Sequence, residues 1–280
     1  MLFHSLTIVG VGLIGGSIGL AAKKRGVVQH VVGVGRDVDR LRKAQALGAI
    51  DAYTLDLPES ARSADLMIFC TPVDRIADEV RLASAHCKPN TILSDAGSTK
   101  QAIVQAIESP GEAPVRFVGG HPLAGSEKKG CEHAHADLFV NRWTILTPTE
   151  CTPGEAVERT VLFWEALGSC VRLLAPQEHD QALALTSHLP HLLAAALAGM
   201  LPDGMRELTA TGFRDTTRVA AGDPDVWTPI FRHNREAVLD ALGLFEERLR
   251  LFRNLLTNDY VPLLEKYLAQ GKKVRDALGS

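Results

Sequence analysis

The chain has 280 residues, 46% of them hydrophobic, and a formal net charge of −3. That length suits one large or two ordinary domains with a sizeable core, and the near-neutral charge without a long basic tract points away from nucleic acid. Five cysteines at wide spacing, with no Cys-x-x-Cys pair, fit reduced thiols in a cytosolic protein.

The apolar run Leu6–Val9 predicts a first strand, and Gly10-Val11-Gly12-Leu13-Ile14-Gly15-Gly16 follows it directly. A G-x-G-x-x-G turn between strand and helix is a dinucleotide-binding pattern. Gly10 permits the tight turn, Gly12 lets the backbone approach a pyrophosphate, and Gly15 lets helix and strand pack closely. The pyrophosphate then sits on the N–H groups that open the helix, at Leu13 and Ile14. Leu2–Ala22 carries no Lys, Arg, Asp or Glu and so imitates a signal peptide. It lacks a basic leading region, and glycines interrupt it where a phosphate turn needs them. No other segment is read as a membrane span.

A second strand, Val31–Val34, ends where a dinucleotide fold meets the adenosine ribose. An acid there binds the 2′-hydroxyl of NAD, and an Arg suits the 2′-phosphate of NADP. Gly35 takes the discriminating position and Arg36 follows, so NADP is favoured over NAD. A two-residue slip of register would instead place Asp37 as the ribose-binding acid. Further strands are predicted at Leu66–Cys70, Thr91–Ser94, Arg116–Val118, Trp143–Thr147 and Val171–Leu174. Helices are predicted between them at Asp39–Leu47, Asp74–Ser84, Lys100–Ile107 and Pro153–Leu167. This alternation gives a mostly parallel, doubly wound α/β sheet. Thr71 and Pro72, directly after the strand Leu66–Cys70, are counted with the cofactor site.

Beyond about Pro176 the strand pattern stops. Helices are expected over Gln177–Met200, around Arg206–Thr211, and in one long stretch from about Thr228 to Gln270. In the last, Val238, Leu242, Phe245, Leu249, Phe252 and Leu256 share one face. That face is either an intradomain core or a dimer interface. The chain thus divides into a nucleotide-binding domain, 1–175, and a helical domain, 176–280.

Three polar constellations carry candidate chemistry. In the first, Ser94–Lys100, Ser98 holds a substrate hydroxyl or an imidazole, or else caps the helix after it. In the second, Gly119–Glu127, His121 follows two glycines and precedes a proline, which places it on a rigid turn. A near-neutral imidazole can take the proton from an alcohol as hydride leaves the same carbon. The third joins Ser187-His188-Leu189-Pro190-His191 to Gly212–Arg218, where Arg214 and Arg218 offer guanidinium forks for a carboxylate. His188 and His191 lie three apart on one helix face and read on their own as structural histidines. The run Cys131-Glu132-His133-Ala134-His135 reads as a polar loop, and no metal site is expected.

Together, Gly10–Gly16, Asp95–Lys100, Gly119–Glu127, Thr147–Thr149, His179–Ala182, Ser187–His191 and Gly212–Arg218 closely resemble the prephenate/arogenate dehydrogenase family of tyrosine biosynthesis, from about Leu6 to Tyr267. The resemblance implies a Rossmann-type nucleotide-binding domain and an all-helical C-terminal dimerisation domain, hence a homodimer. It implies NAD(P)-dependent oxidative decarboxylation of prephenate to 4-hydroxyphenylpyruvate, of arogenate to tyrosine, or of both. It makes His121 the group that polarises the substrate 4-hydroxyl, with Ser98 beside it. Arg218 grips the substrate carboxylate, His191 and Ser187 line the substrate pocket, and Glu127 and Asp215 tune access and hold the arginine. With no chorismate mutase stretch before Leu6 and no ACT-length stretch after the helices, feedback through such a domain is not expected. Two other readings compete: a non-catalytic NAD(P) sensor, and a β-hydroxy-acid dehydrogenase. The second would want a lysine in the helical part, and Gln177–Thr257 has none.

Overall fold

The computed structural model describes residues 1–108, 115–125 and 128–279; Glu127 therefore lies outside the described residues. In chain order the first elements are β1 (Phe3–Val9), α1 (Leu13–Lys24), β2 (Val28–Val34), α2 (Val38–Ala46), β3 (Ala52–Thr54), α3 (Leu57–Ala61), β4 (Leu66–Phe69), α4 (Val73–Ser84), β5 (Ile92–Asp95) and α5 (Gln101–Ile107). Then come β6 (Phe117–Pro122), β7 (Trp143–Thr147), α6 (Gly154–Ala166), β8 (Cys170–Leu173), α7 (Pro176–Leu183), α8 (Leu189–Gly199), α9 (Thr211–Thr217), α10 (Pro224–His233), α11 (Arg235–Thr257) and α12 (Val261–Ala277). By compactness the chain divides into Met1–Arg235 and Glu236–Ser280.

The first unit holds one eight-stranded sheet in the order β3-β2-β1-β4-β5-β6-β7-β8. All its pairings are parallel except β6 with β7. The expected doubly wound sheet is met. β4 is an apolar run, and β1 is buried at every position but His4, because both faces of a parallel sheet are covered. Gly10 has φ +90°, a backbone that favours glycine. A Cβ at Gly15 would overlap the Gly10 carbonyl oxygen and lie 2.9 Å from the Ile8 side chain, so only glycine lets α1 lie this close to β1.

Several expectations are corrected. The short β3 and α3 were not foreseen: three and five residues carry too little periodicity to read. The strand expected to end at Val118 runs on through His121 to Pro122, paired antiparallel with β7, so His121 stands in a strand and not on a turn. Gly119-Gly120 looks like turn composition but serves close packing. A Cβ on Gly119 would overlap the Thr147 hydroxyl, and one on Gly120 would lie 2.6 Å from the Asp95 carbonyl oxygen.

The helix expected over Gln177–Met200 is interrupted by a π-turn at Ala184–His188. Pro190 lacks an N–H and crowds the carbonyl four residues back, and a wider turn accommodates both. By length and hydropathy Pro176–Gly199 would also pass for a membrane span, which the sequence reading overlooked. Its buried Asp180 accepts hydrogen bonds from α5, and its His179 bonds to β6. Around 206–211 a 3₁₀ turn, Asp203–Leu208, precedes α9.

The single long helix expected from Thr228 to Gln270 is three helices. It breaks at Asn234, and again where Asp259 takes φ +52° ahead of Pro262. Within the second unit Phe252 meets Tyr267 edge-on with ring centroids 6.4 Å apart, and the Arg248 guanidinium lies 5.9 Å from the Tyr267 ring centre. Leu239, Leu244, Leu249, Leu256, Leu263 and Leu268 stay exposed on α11 and α12.

Candidate active site

A cleft of about 1030 Å³ opens beyond the C-terminal ends of the central strands, where open α/β sheets place their sites. Leu13 from the start of α1, Ser98 from the β5–α5 turn, His121 from β6, and Ser187 and His188 from the π-turn line it, with Trp227 from α10.

The cofactor turn fits a dinucleotide. A Cβ on Gly12 would meet nothing within 4 Å, leaving room for a close approach. No side chain caps α1 and no acid stands in its first turn, so its opening N–H groups, including those of Leu13, Ile14 and Gly15, suit an anion. β2 pairs with β1 through Val34, so the strand ends there and Gly35 follows it. Asp37 is spent as the cap of α2, accepting from the N–H groups of Asp39 and Arg40 at 3.0 and 3.1 Å. Arg36 is exposed beside it. Thr71 donates to Glu79 at 2.5 Å, and Pro72 opens α4.

His121 is 9% exposed, and its Nδ1 lies 2.8 Å from His179 Nε2. His179 Nδ1 in turn lies 2.7 Å from Asp180 Oδ1. Asp180 also accepts the N–H groups of Lys100 and Gln101 at 2.8 and 3.0 Å, and it is this carboxylate, not Ser98, that holds the N-terminus of α5. Under the site the fully buried Lys100 ammonium pairs with Asp95 and donates to the Gly120 carbonyl at 2.9 Å, next to His121. Asp95 accepts from Gly120 and Gly97, both at 2.9 Å. The strand that carries His121 is thereby fixed on both sides.

Burial pushes the His121 imidazole well below its ordinary pKa, and nearby His179 and Lys100 push the same way. Burial also lowers His179, although its bond to Asp180 pulls back. His188 falls to about 4, again mainly through burial. All three are neutral near pH 7, the state in which an imidazole can accept a proton.

The other expected residues divide. Ser98 and Ser187 join His121 at the cleft. His191 is buried behind it, stacked on Trp227 with centroids 3.6 Å apart and planes 14° apart. Arg218 and Asp215 are exposed on α9 and the turn after it, away from the cleft lining. Among the described residues no ion pair joins them. Sequence reasoning missed His179, Asp180, Asn234, Lys100 and Trp227 as parts of the site. His179-Asp180 was visible as a motif, but nothing local says that it reaches a strand 58 residues earlier.

Residues 18–173 match the family described as prephenate dehydrogenase, nucleotide-binding domain, and residues 175–270 match prephenate dehydrogenase, dimerization domain. The chain is 32% identical to a cyclohexadienyl dehydrogenase of Zymomonas mobilis, over 99% of this chain and 96% of that protein. It is 31% identical to a prephenate dehydrogenase of Bacillus subtilis, over 98% of this chain and 76% of that one. The crystal structure of prephenate dehydrogenase from Aquifex aeolicus, in complex with hydroxyphenyl propionate and NAD+, superimposes with a TM-score of 0.91 at 31% identity, covering 98% of each chain. That of Synechocystis arogenate dehydrogenase gives 0.83 at 33% identity, covering 98% of this chain and 99% of the other.

Proposed function

The chain belongs to the prephenate dehydrogenase family, and we propose that it oxidatively decarboxylates prephenate, arogenate or both with NADP, using His121 as proton acceptor. The observation that carries this reading is the meeting, in one cleft, of a neutral buried His121, Ser98 and Leu13, the residue of the dinucleotide turn that opens α1.

The nicotinamide, when bound, supplies the acceptor for the hydride that leaves the ring carbon bearing the 4-hydroxyl. Ser98 hydrogen-bonds that hydroxyl, and His121 takes its proton as the carbonyl forms. The bond to the opposite carboxylate then breaks, its electron pair enters the ring, carbon dioxide departs, and aromatisation drives the step. Positioning supplies much of the rate, because the reacting groups are already held in place. Arg218 grips a substrate carboxylate, Asp215 and Glu127 tune access and hold the arginine, and His191 and Ser187 complete the pocket. Gly10, Gly12, Leu13, Ile14, Gly15, Thr71 and Pro72 hold the dinucleotide, with the 2′-phosphate at Gly35 and Arg36. The use of Asp37 as a helix cap supports that preference.

The working division is a nucleotide-binding part, 1–175, and a substrate and dimerisation part, 176–280. Exposed leucines on α11 and α12 support a homodimer through those helices. Five free cysteines are in keeping with a cytoplasmic location.

The test is absorbance of the reduced nicotinamide with NAD and NADP, each crossed with prephenate and arogenate. Turnover with NADP is expected. Cofactor binding without turnover for any pair would overturn the dehydrogenase reading in favour of a nucleotide sensor.

A further inference from the structure

Two cleft histidines are gripped from behind by groups whose hydrogen-bonding roles are fixed, and those roles decide where each imidazole proton sits. The Asp180 carboxylate can only accept, so His179 Nδ1, 2.7 Å away, carries a proton and donates it. Neutral His179 is left with a lone pair at Nε2. That atom faces His121 Nδ1 at 2.8 Å, so His121 donates from Nδ1 and keeps its own lone pair at Nε2.

At His188 the grip is reversed. The Asn234 side-chain amide donates to the Asp180 backbone carbonyl at 2.7 Å, and a carbonyl only accepts, so the amide's orientation is settled. Its nitrogen also lies 3.0 Å from His188 Nδ1, which must therefore accept. Neutral His188 then carries its proton at Nε2. That nitrogen is buried and has no protein partner among the described residues, although His188 lines the cleft. A buried donor left without an acceptor is costly, and such groups in folded proteins call for a partner.

We propose that the cleft is built with its two histidines in opposite tautomers: His121 offers a lone pair at Nε2, and His188 offers an N–H at Nε2 that binds an oxygen of the substrate's anionic side chain. His179 and Asn234 are the positioning residues that set these states. This rests on the dehydrogenase reading and extends it, because His188 becomes a second recognition group on the side of the cleft opposite in polarity to the proton acceptor.

The experiment is nitrogen NMR of the full-length protein labelled with 15N-histidine, with His121 and His188 assigned from the spectra of H121N and H188Q. Protonated Nδ1 at His121 and protonated Nε2 at His188 are expected. The reverse at either residue, or averaging of both tautomers, overturns the proposal. H179F, which keeps a ring but removes the acceptor, is expected to release the His121 preference; retention of that preference in folded H179F overturns the role of His179. Should H179F fail to fold, the wild-type spectrum still decides.

Calorimetry with prephenate on the NADP-bound protein supplies the second arm. H188F is expected to weaken binding roughly 10- to 100-fold, and H188Q, which keeps an N–H near the same point, to recover part of it. Unchanged affinity in H188F with a lowered Tm would mean that the donor is spent on the neighbouring Trp227 ring, and would overturn the assignment. The tautomers are read without substrate, so they stand or fall separately from turnover; a wild-type protein with the expected tautomers but no turnover would count against the dehydrogenase reading alone.

Discussion

The dinucleotide turn and the histidine cluster form two walls of one cleft, yet they are built in contrasting ways. The turn is made of backbone. Gly10, Gly12 and Gly15 lie within six residues, and each is required by a local fact: a positive φ, an open approach, a close contact with Ile8. The cluster is made of side chains that meet across the chain. His121 to His179 spans 58 positions, Asp180 to Lys100 spans 80, and Asn234 to His188 spans 46. A backbone site tolerates change in its surroundings and fails only at its glycines. A side-chain network fails wherever one member loses its partner.

That contrast sets an order of expected effects. Replacing His121 by Asn should lower kcat by roughly 10²–10⁴-fold while the Kd for cofactor stays unchanged, since the two walls are independent. Near-normal turnover, by steady-state kinetics, would remove His121 from the chemistry. Lys100→Met comes next, in stability rather than rate. It leaves Asp95 charged and fully buried, a loss of about 3–5 kcal/mol, to be read from urea unfolding. A change under 1 kcal/mol would mean the pair is not the support for β6 described above.

The third effect is a pH dependence with a definite sign. A histidine whose folded pKa lies below its unfolded value favours the neutral folded state. Its contribution is complete above the unfolded value of 6.5 and is lost as pH falls toward the folded value. For His188 that window runs from 6.5 down to about 4, and the loss is on the order of 3 kcal/mol, at about 1.4 kcal/mol per pH unit. His121 and His179 shift in the same direction. Unfolding midpoints should drop across that range, and H188Q should flatten the drop; an unchanged slope in H188Q would remove His188 from it. The smallest effect belongs to the cofactor side, at the end of β2. Arg36 is exposed, so Arg36→Ala should raise the KM for NADP by only about tenfold and leave that for NAD unchanged. Equal changes for both cofactors would place the 2′-phosphate elsewhere.

The same contrast explains what could be read from the sequence. The parallel sheet and the glycine turn were legible because strand, turn and helix signals are local. Asp37 was ambiguous by register until the pairing of Val34 with Val9 fixed the strand end. His121 was legible as a residue but not in its setting, because Gly119-Gly120 imitates a turn while serving close packing against Asp95 and Thr147. The break of the helix at Ala184–His188 has a local cause in Pro190, yet its consequence, His188 at the cleft, depends on Asn234 far along the chain. Lys100 looked like the polar start of a helix; only the fold shows it fully buried under the site.

In the proposed reaction one cleft couples hydride loss, proton removal and decarboxylation on a cyclohexadienyl substrate. The most direct measurement is product stoichiometry with prephenate and NADP: reduced cofactor, carbon dioxide and phenolic product counted in the same reaction. All three are expected in equal amounts and are expected to disappear together in H121N. Cofactor reduction without carbon dioxide, or equal turnover in H121N, would contradict it.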